Sequence, residues 1–181
     1  ASASPATVCS GNNSQLTATV SSTSNYTVNS IAFSSLSPSG SPTTVWNTYV
    51  DDALSAAIPM PFSFTFYGKT ITQFYVSTNG HIQLETSAGS ANAEQLVPNA
   101  ATPNNVIALA WDDLVVDPTT NTGSSVRYFV NGTTPNRVLV IDYVNLRFIA
   151  DFSGAAIVTG QIRLYESDKH IEVAAGTVND N

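Results

Sequence analysis

Apolar and polar residues alternate with a period of two along much of this chain, the spacing that sends successive side chains to opposite faces of a strand. The clearest stretch is residues 61–84, PFSFTFYGKTITQFYVSTNGHIQL. Phe62, Phe64 and Phe66 share one face, and Ser63, Thr65 and Tyr67 the other. A second run from Ile71 through Phe74 and Val76 reaches Asn79-Gly80, after which Ile82 and Leu84 resume the alternation. Asn-Gly between alternating runs predicts a tight hairpin, because both residues tolerate positive φ.

The same reading extends in both directions. Gln15–Val20 is a short strand with a thin apolar side of Leu16, Ala18 and Val20, too little to be stable outside a larger sheet. Residues 34–44 read as a loop from their Pro, Gly and Ser content, and the body starts near Val45. Residues 86–105 form a long excursion. Val106–Trp111, apolar at every position, reads as a central strand buried on both faces, with Trp111 in the core, and Asp112-Asp113 ends it. Val126–Val130, Arg137–Val144, Ile157–Glu166 and His170–Ala174 follow as strands. Eight to ten strands spaced by turn signals, with no helix and no internal repeat, predict an all-β fold of two stacked antiparallel sheets, jelly-roll or immunoglobulin-like. The expected division is an N-terminal arm over residues 1–30, carrying one strand, and a sandwich over 31–181.

Composition narrows the function. Hydrophobic residues are 43% of the 181, enough for a sizeable core, while charged residues are 10% against roughly 25% in an ordinary domain. Ser, Thr and Asn supply the polar surface, as in many extracellular β-domains. Net charge is −7, and the six cations Lys69, Arg127, Arg137, Arg147, Arg163 and Lys169 are scattered singly. No basic patch can be assembled from sequence neighbours, so nucleic acid is not an expected partner. No stretch approaches a transmembrane helix in length. Cys9 is the sole cysteine, which leaves a free thiol or an intermolecular bridge. The start Ala-Ser-Ala-Ser-Pro has no initiator Met, and it reads as a processed, exported protein or an excised piece.

Candidate chemistry is sparse. Asp112, Asp113 and Asp117 share a turn-rich segment and could supply hard oxygen ligands to Ca²⁺, with Asp51-Asp52 completing the set from another loop. The competing reading is that an Asp caps the strand end by accepting backbone amides. Asn79 is expected to serve the turn alone. His81 and His170 are isolated and make neither a zinc site nor a triad by spacing. Glu85, Glu94, Glu166 and Glu172 lie on or beside strand positions expected to be exposed, which does not fit a glycosidase pair. The expectation is therefore no catalytic residues, no cofactor unless calcium, and no enzyme. Trp46, Tyr49, Tyr67 and Tyr75 could stack sugar rings, although aromatics in β-proteins more often serve cores and cross-strand pairs. Asn12, Asn25 and Asn131 satisfy the N-glycosylation rule, a short motif that by itself decides nothing.

The ordered motifs PFSFTFYG, VSTNGHIQL, VIALAWDDL, VRYFVNGTTPNRVLVIDYVN and VTGQIRLYESDKHIEV resemble a β-domain of large bacterial surface proteins, including adhesins of gliding bacteria. They are more distantly similar to the nidogen-type extracellular domain, over about residues 31–175. The resemblance implies an extracellular, non-catalytic module at the cell surface, active in adhesion or filament assembly. Pro5–Gly11 separately resembles the first strand of an immunoglobulin-like repeat whose Cys has a partner further on, absent here. A lone strand of this kind can satisfy its backbone on a neighbouring subunit, so donor-strand assembly into a homo-oligomer or polymer, or with other surface proteins, is the leading expectation. A carbohydrate-binding module using the loops around 86–105 and 112–124, with or without calcium, is the alternative.

Overall fold

The computed structural model describes residues 2–4, 15–17, 26–85 and 102–178. Two short strands, β1 (Ser2–Ser4) and β2 (Gln15–Thr17), pair antiparallel with each other through Ser2↔Thr17 and Ser4↔Gln15. Leu16 thus lies on a strand, as read from its alternation, while Ala18, Val20, Cys9, Asn12, Asn25, Glu94 and the excursion over 86–101 fall outside the described residues.

The body is a two-sheet antiparallel sandwich with no helix among the described residues. One sheet runs β4 (Ile58–Phe66), β5 (Lys69–Val76), β6 (His81–Gln83) and β7 (Val106–Ala108) in that order. The other runs β12 (Ile171–Val178), β11 (Ile157–Tyr165), β10 (Val138–Phe148), β9 (Ser125–Asn131) and β3 (Thr43–Trp46), with β8 (Leu114–Val115) on the far end of β10. Within the sandwich the order is that of two successive meanders, which strand counting does not reveal. Phe62, Phe64, Phe66, Phe74 and Ile82 face Leu139, Ile141, Tyr143, Ile162 and Leu164 in one core. Each such side chain, fully enclosed, stabilises by about 1.5–3 kcal/mol relative to exposure.

The alternation of 61–84 survives, but its turns differ from the expectation. Tyr67, placed on the outer face of a strand by its spacing, is a turn residue: Phe66 pairs with Lys69 across Tyr67-Gly68, whose φ values are 45° and 76°. Two left-handed residues in a two-residue loop are the I′ geometry, which suits the twist of the strands. At Asn79-Gly80 only Gly80 has positive φ, and the Ser77 N–H donates to His81 O, so the loop is Thr78-Asn79-Gly80.

Four further expectations are corrected. Val106–Trp111 is not a central strand, because only Val106–Ala108 ladders and it does so at the sheet edge. Trp111 is half-buried, its ring 4.9 Å from that of His81. Arg137–Val144 continues to Phe148, since Asn145, at φ 49°, sits at a register shift between Tyr143 and Leu146 and bends the strand without ending it. Glu85, Glu166 and Glu172 are half-buried and bonded to Asn105, Arg137 and Arg163.

Residues 26–42 form a strap without ladder bonds. Gly176, Ser34 and Leu36 mark its course over the larger sheet. A side chain on Gly176 of β12 would collide with the Phe33 ring, the Arg163 guanidinium of β11 donates to Ser34 O, and Gln161 exchanges two hydrogen bonds with Leu36. Asn131, at the end of β9, then bonds Ser37 O and the Ser39 N–H, leading into β3.

Candidate functional site

Four loops meet at one end of the sandwich, and the β5–β6 turn joins them. Asn79 is fully buried; its Oδ1 accepts the Leu114 N–H at 2.9 Å and its Nδ2 donates to Asp52 Oδ1 at 3.0 Å. Thr78 exchanges bonds with Ala53, and Gly80 O accepts the Leu109 N–H. A Cβ on Gly80 would lie 2.1 Å from Ala110 O, so the approach needs glycine. Asn79 therefore does more than serve its own turn: it holds Asp52 and the start of β8 in register. The sequence signal was the Asn-Gly pair itself, whose side-chain partners lie far along the chain.

The carboxylate oxygens of Asp51, Asp52 and Asp113 lie within 4.8 Å of one another. Asp51 Oδ1 is buried and accepts no hydrogen bond among the described residues. Burial, then the neighbouring Asp52 charge, pushes the Asp51 carboxyl above its usual range. Oxygens 2.3–2.6 Å from a shared Ca²⁺ sit at most about 5 Å apart, so the trio fits a calcium-sized cation, with the remaining ligands left to water.

The sequence trio is thus divided. Asp113 joins Asp51 and Asp52. Asp112 is exposed and accepts the Asp113 N–H at 2.7 Å, as a turn aspartate does. Asp117 is buried and accepts the Thr119 and Thr120 N–H groups, the Thr120 hydroxyl, and Arg147 Nε at 3.0 Å. Burial alone would push its carboxyl up, but the Thr120 and Arg147 donors outweigh this and hold it below the usual range. Arg147 also donates to the Phe148 and Ile149 carbonyls, fixing the wall of a cleft of about 430 Å³ lined by Asp112, Asp113, Phe148, Ile149, Asp151 and Ala156. Phe152, 83% exposed, lies under the Arg147 guanidinium at 5.8 Å.

The aromatic candidates scatter. Tyr75 is buried with its hydroxyl accepting from Gln73, Trp46 is half-buried, and Tyr49 and Tyr67 are exposed. His81 is buried and His170 stacks on Tyr165 at 3.8 Å beside Asp168. The two histidines sit on different sheets, at the start of β6 and just before β12.

Against this geometry, the model of the NIDO-related family matches residues 25–181. The chain belongs to the NIDO-related family. The match covers the whole sandwich and the strap, slightly more than the 31–175 over which the motifs resemble the nidogen-type domain, and it marks an extracellular type of domain. No curated protein and no solved structure matches the chain. Among the described residues no helix is long and apolar enough to cross a membrane.

Proposed function

We propose that this NIDO-related domain is a secreted, non-catalytic structural or adhesive module of large bacterial surface proteins, acting in attachment or filament assembly with its own copies or other surface proteins. The observation carrying this reading is how its ionisable groups are used. Arg127, Arg137, Arg147 and Arg163 each pair with a carboxylate from a neighbouring strand or loop, and buried His81 is held between Asn79 and Gln83. These side chains brace the sandwich. The arm supports assembly, since Leu16, Ala18 and Val20 give it a strand pattern able to join a sheet edge. Light scattering of the full chain and of a chain lacking residues 1–24 tests this. Assemblies should be lost on deletion while circular dichroism retains the sheet signal, and a full chain that stays monomeric at high concentration rejects assembly.

A second reading, calcium-dependent glycan binding at the loop end, is favoured by the convergence of Asp51, Asp52 and Asp113 beside the cleft. Calcium at 100 times its Kd should stabilise the fold by about 2.7 kcal/mol, a rise of a few degrees in Tm. Asp113→Asn should remove that rise and Asp112→Asn should keep it. A glycan array with and without chelator then examines the ligand, and an unchanged wild-type Tm in calcium rejects the site.

A further inference from the structure

His170 stands at the turn between β11 and β12 with a carboxylate two residues away on either side. Its Nδ1 lies 2.6 Å from Asp168 Oδ1, which also accepts the His170 N–H at 3.2 Å. The ring stacks on Tyr165 with centroids 3.8 Å apart and planes 18° from parallel, so its rotation is restricted. Glu172, two residues on, falls on the same face by the period of two. Its Oε2 accepts from Arg163 Nη1 at 2.9 Å and from the Tyr165 hydroxyl at 2.8 Å, and its Oε1 lies 3.8 Å from His170 Nε2. The adjacent cation, Lys169, is turned away to the Glu166 carbonyl.

The donors themselves identify what fits between them. A separation of 3.8 Å is too long for a hydrogen bond, yet it is near that of two ligands on one ion: donors 2.0–2.2 Å from a tetrahedral centre lie about 3.4 Å apart. A neutral imidazole whose Nδ1–H is held by a carboxylate presents Nε2 as a lone pair, which is how metal-binding histidines are oriented. Burial alone would push the Glu172 carboxyl up, but the Tyr165 and Arg163 donors outweigh it and hold the group below its usual range, as an anion. One imidazole nitrogen beside one carboxylate oxygen suits zinc, copper and nickel, whereas calcium takes oxygen ligands. We propose that His170 Nε2 and Glu172 Oε1 chelate a divalent ion of the zinc class, with Asp168 positioning the ring and water in the remaining positions. This site goes beyond the calcium reading. The cleft wall at Ala156 and the His170 turn stand at opposite ends of β11, whose nine residues span roughly 25–30 Å.

Calorimetric titration of zinc chloride into the full chain, free of any histidine tag and at pH 8, tests the proposal. One ion should bind per chain, and His170→Gln should abolish binding. Glu172→Gln should weaken it at least about tenfold, and Asp168→Ala about 10–100-fold, because the ring loses its orienting acceptor. The side chains of His170 and Asp168 are 44% and 63% exposed, so circular dichroism of those variants should keep the sheet signal. A second readout needs no variant. In nitrogen-15 spectra of the metal-free wild type His170 should be the Nδ1–H tautomer, and zinc, unlike calcium, should shift its ring signals and leave those of His81 in place. Absence of zinc binding overturns the proposal, as does an Nε2–H tautomer at His170 or binding that survives His170→Gln. Affinity unchanged in both Glu172→Gln and Asp168→Ala also overturns it, since the imidazole would then act alone.

Discussion

Burial pushes the His81 imidazole down to about 4, and its bond to the Asn79 carbonyl offsets only part of that. The ring fits as the neutral tautomer in which Nδ1–H donates to Asn79 O at 3.3 Å and Nε2 accepts from the Gln83 amide at 3.1 Å. In the unfolded chain the same imidazole titrates near 6.5. Between these values the unfolded chain takes up a proton that the folded one refuses, so stability falls as pH drops from 6.5 towards 4 and is level above 6.5. The loss over that window is about 3 kcal/mol. Urea unfolding across this range, for the wild type and His81→Gln, isolates the contribution: the variant should show the shallower slope, and equal slopes would contradict it. His81 was visible in the sequence only as a residue opening a strand. Its enclosure comes from Trp111 and from Tyr143, whose hydroxyl donates to His81 O at 2.8 Å, both distant along the chain.

Elements are tied together by ion pairs of very different burial. The side chains of Arg147 and Asp117 are 5% and 6% exposed, whereas Arg127, paired with Asp142, is 37% exposed. Arg147→Met strands a buried carboxylate and releases the loop carbonyls, and should cost about 3–5 kcal/mol. Arg127→Met should cost less, about 1–3 kcal/mol, because the guanidinium is partly exposed and the Asp142 carboxylate, 8% exposed, keeps the Gln161 amide as a donor. Urea midpoints for the two variants check the ordering, and similar losses would refute it. Strands were legible where hairpins are local, as in β4–β5, β9–β10 and β11–β12. The 106–111 run misled because uninterrupted apolar character also arises where a short edge strand passes into loop residues half-covered by the turn at Gly80. The extension of β10 past Asn145 was hidden because a bulge residue resembles a turn residue in sequence. Here its N–H and side-chain oxygen instead bond Thr159, and the strand goes on.

Across the whole molecule, an uncharged strap lies on the larger sheet and supplies partners for its buried Gln161 and Arg163. Gln161 is the joint: it bonds Leu36 twice, Asp142 once, and accepts from Arg163, and it is 1% exposed. Gln161→Leu removes these bonds while filling similar space, and should destabilise by about 2–4 kcal/mol. It should also speed hydrogen exchange of the Leu36 amide at least tenfold, and an unchanged Leu36 rate would show that the strap is held elsewhere. Period-two alternation and turn residues by themselves determined the all-β class and its hairpins, because both are set by neighbours along the chain. Only the tertiary structure decided which carboxylates meet. Asp113 joins Asp51 and Asp52, while Asp117 turns to Arg147, because loops from separate strands are brought together by strand order and sheet packing. The same packing lays residues 26–31 beside β12 and Ser34 and Leu36 against β11, joining what reads as the end of an arm and the start of a loop into one strap.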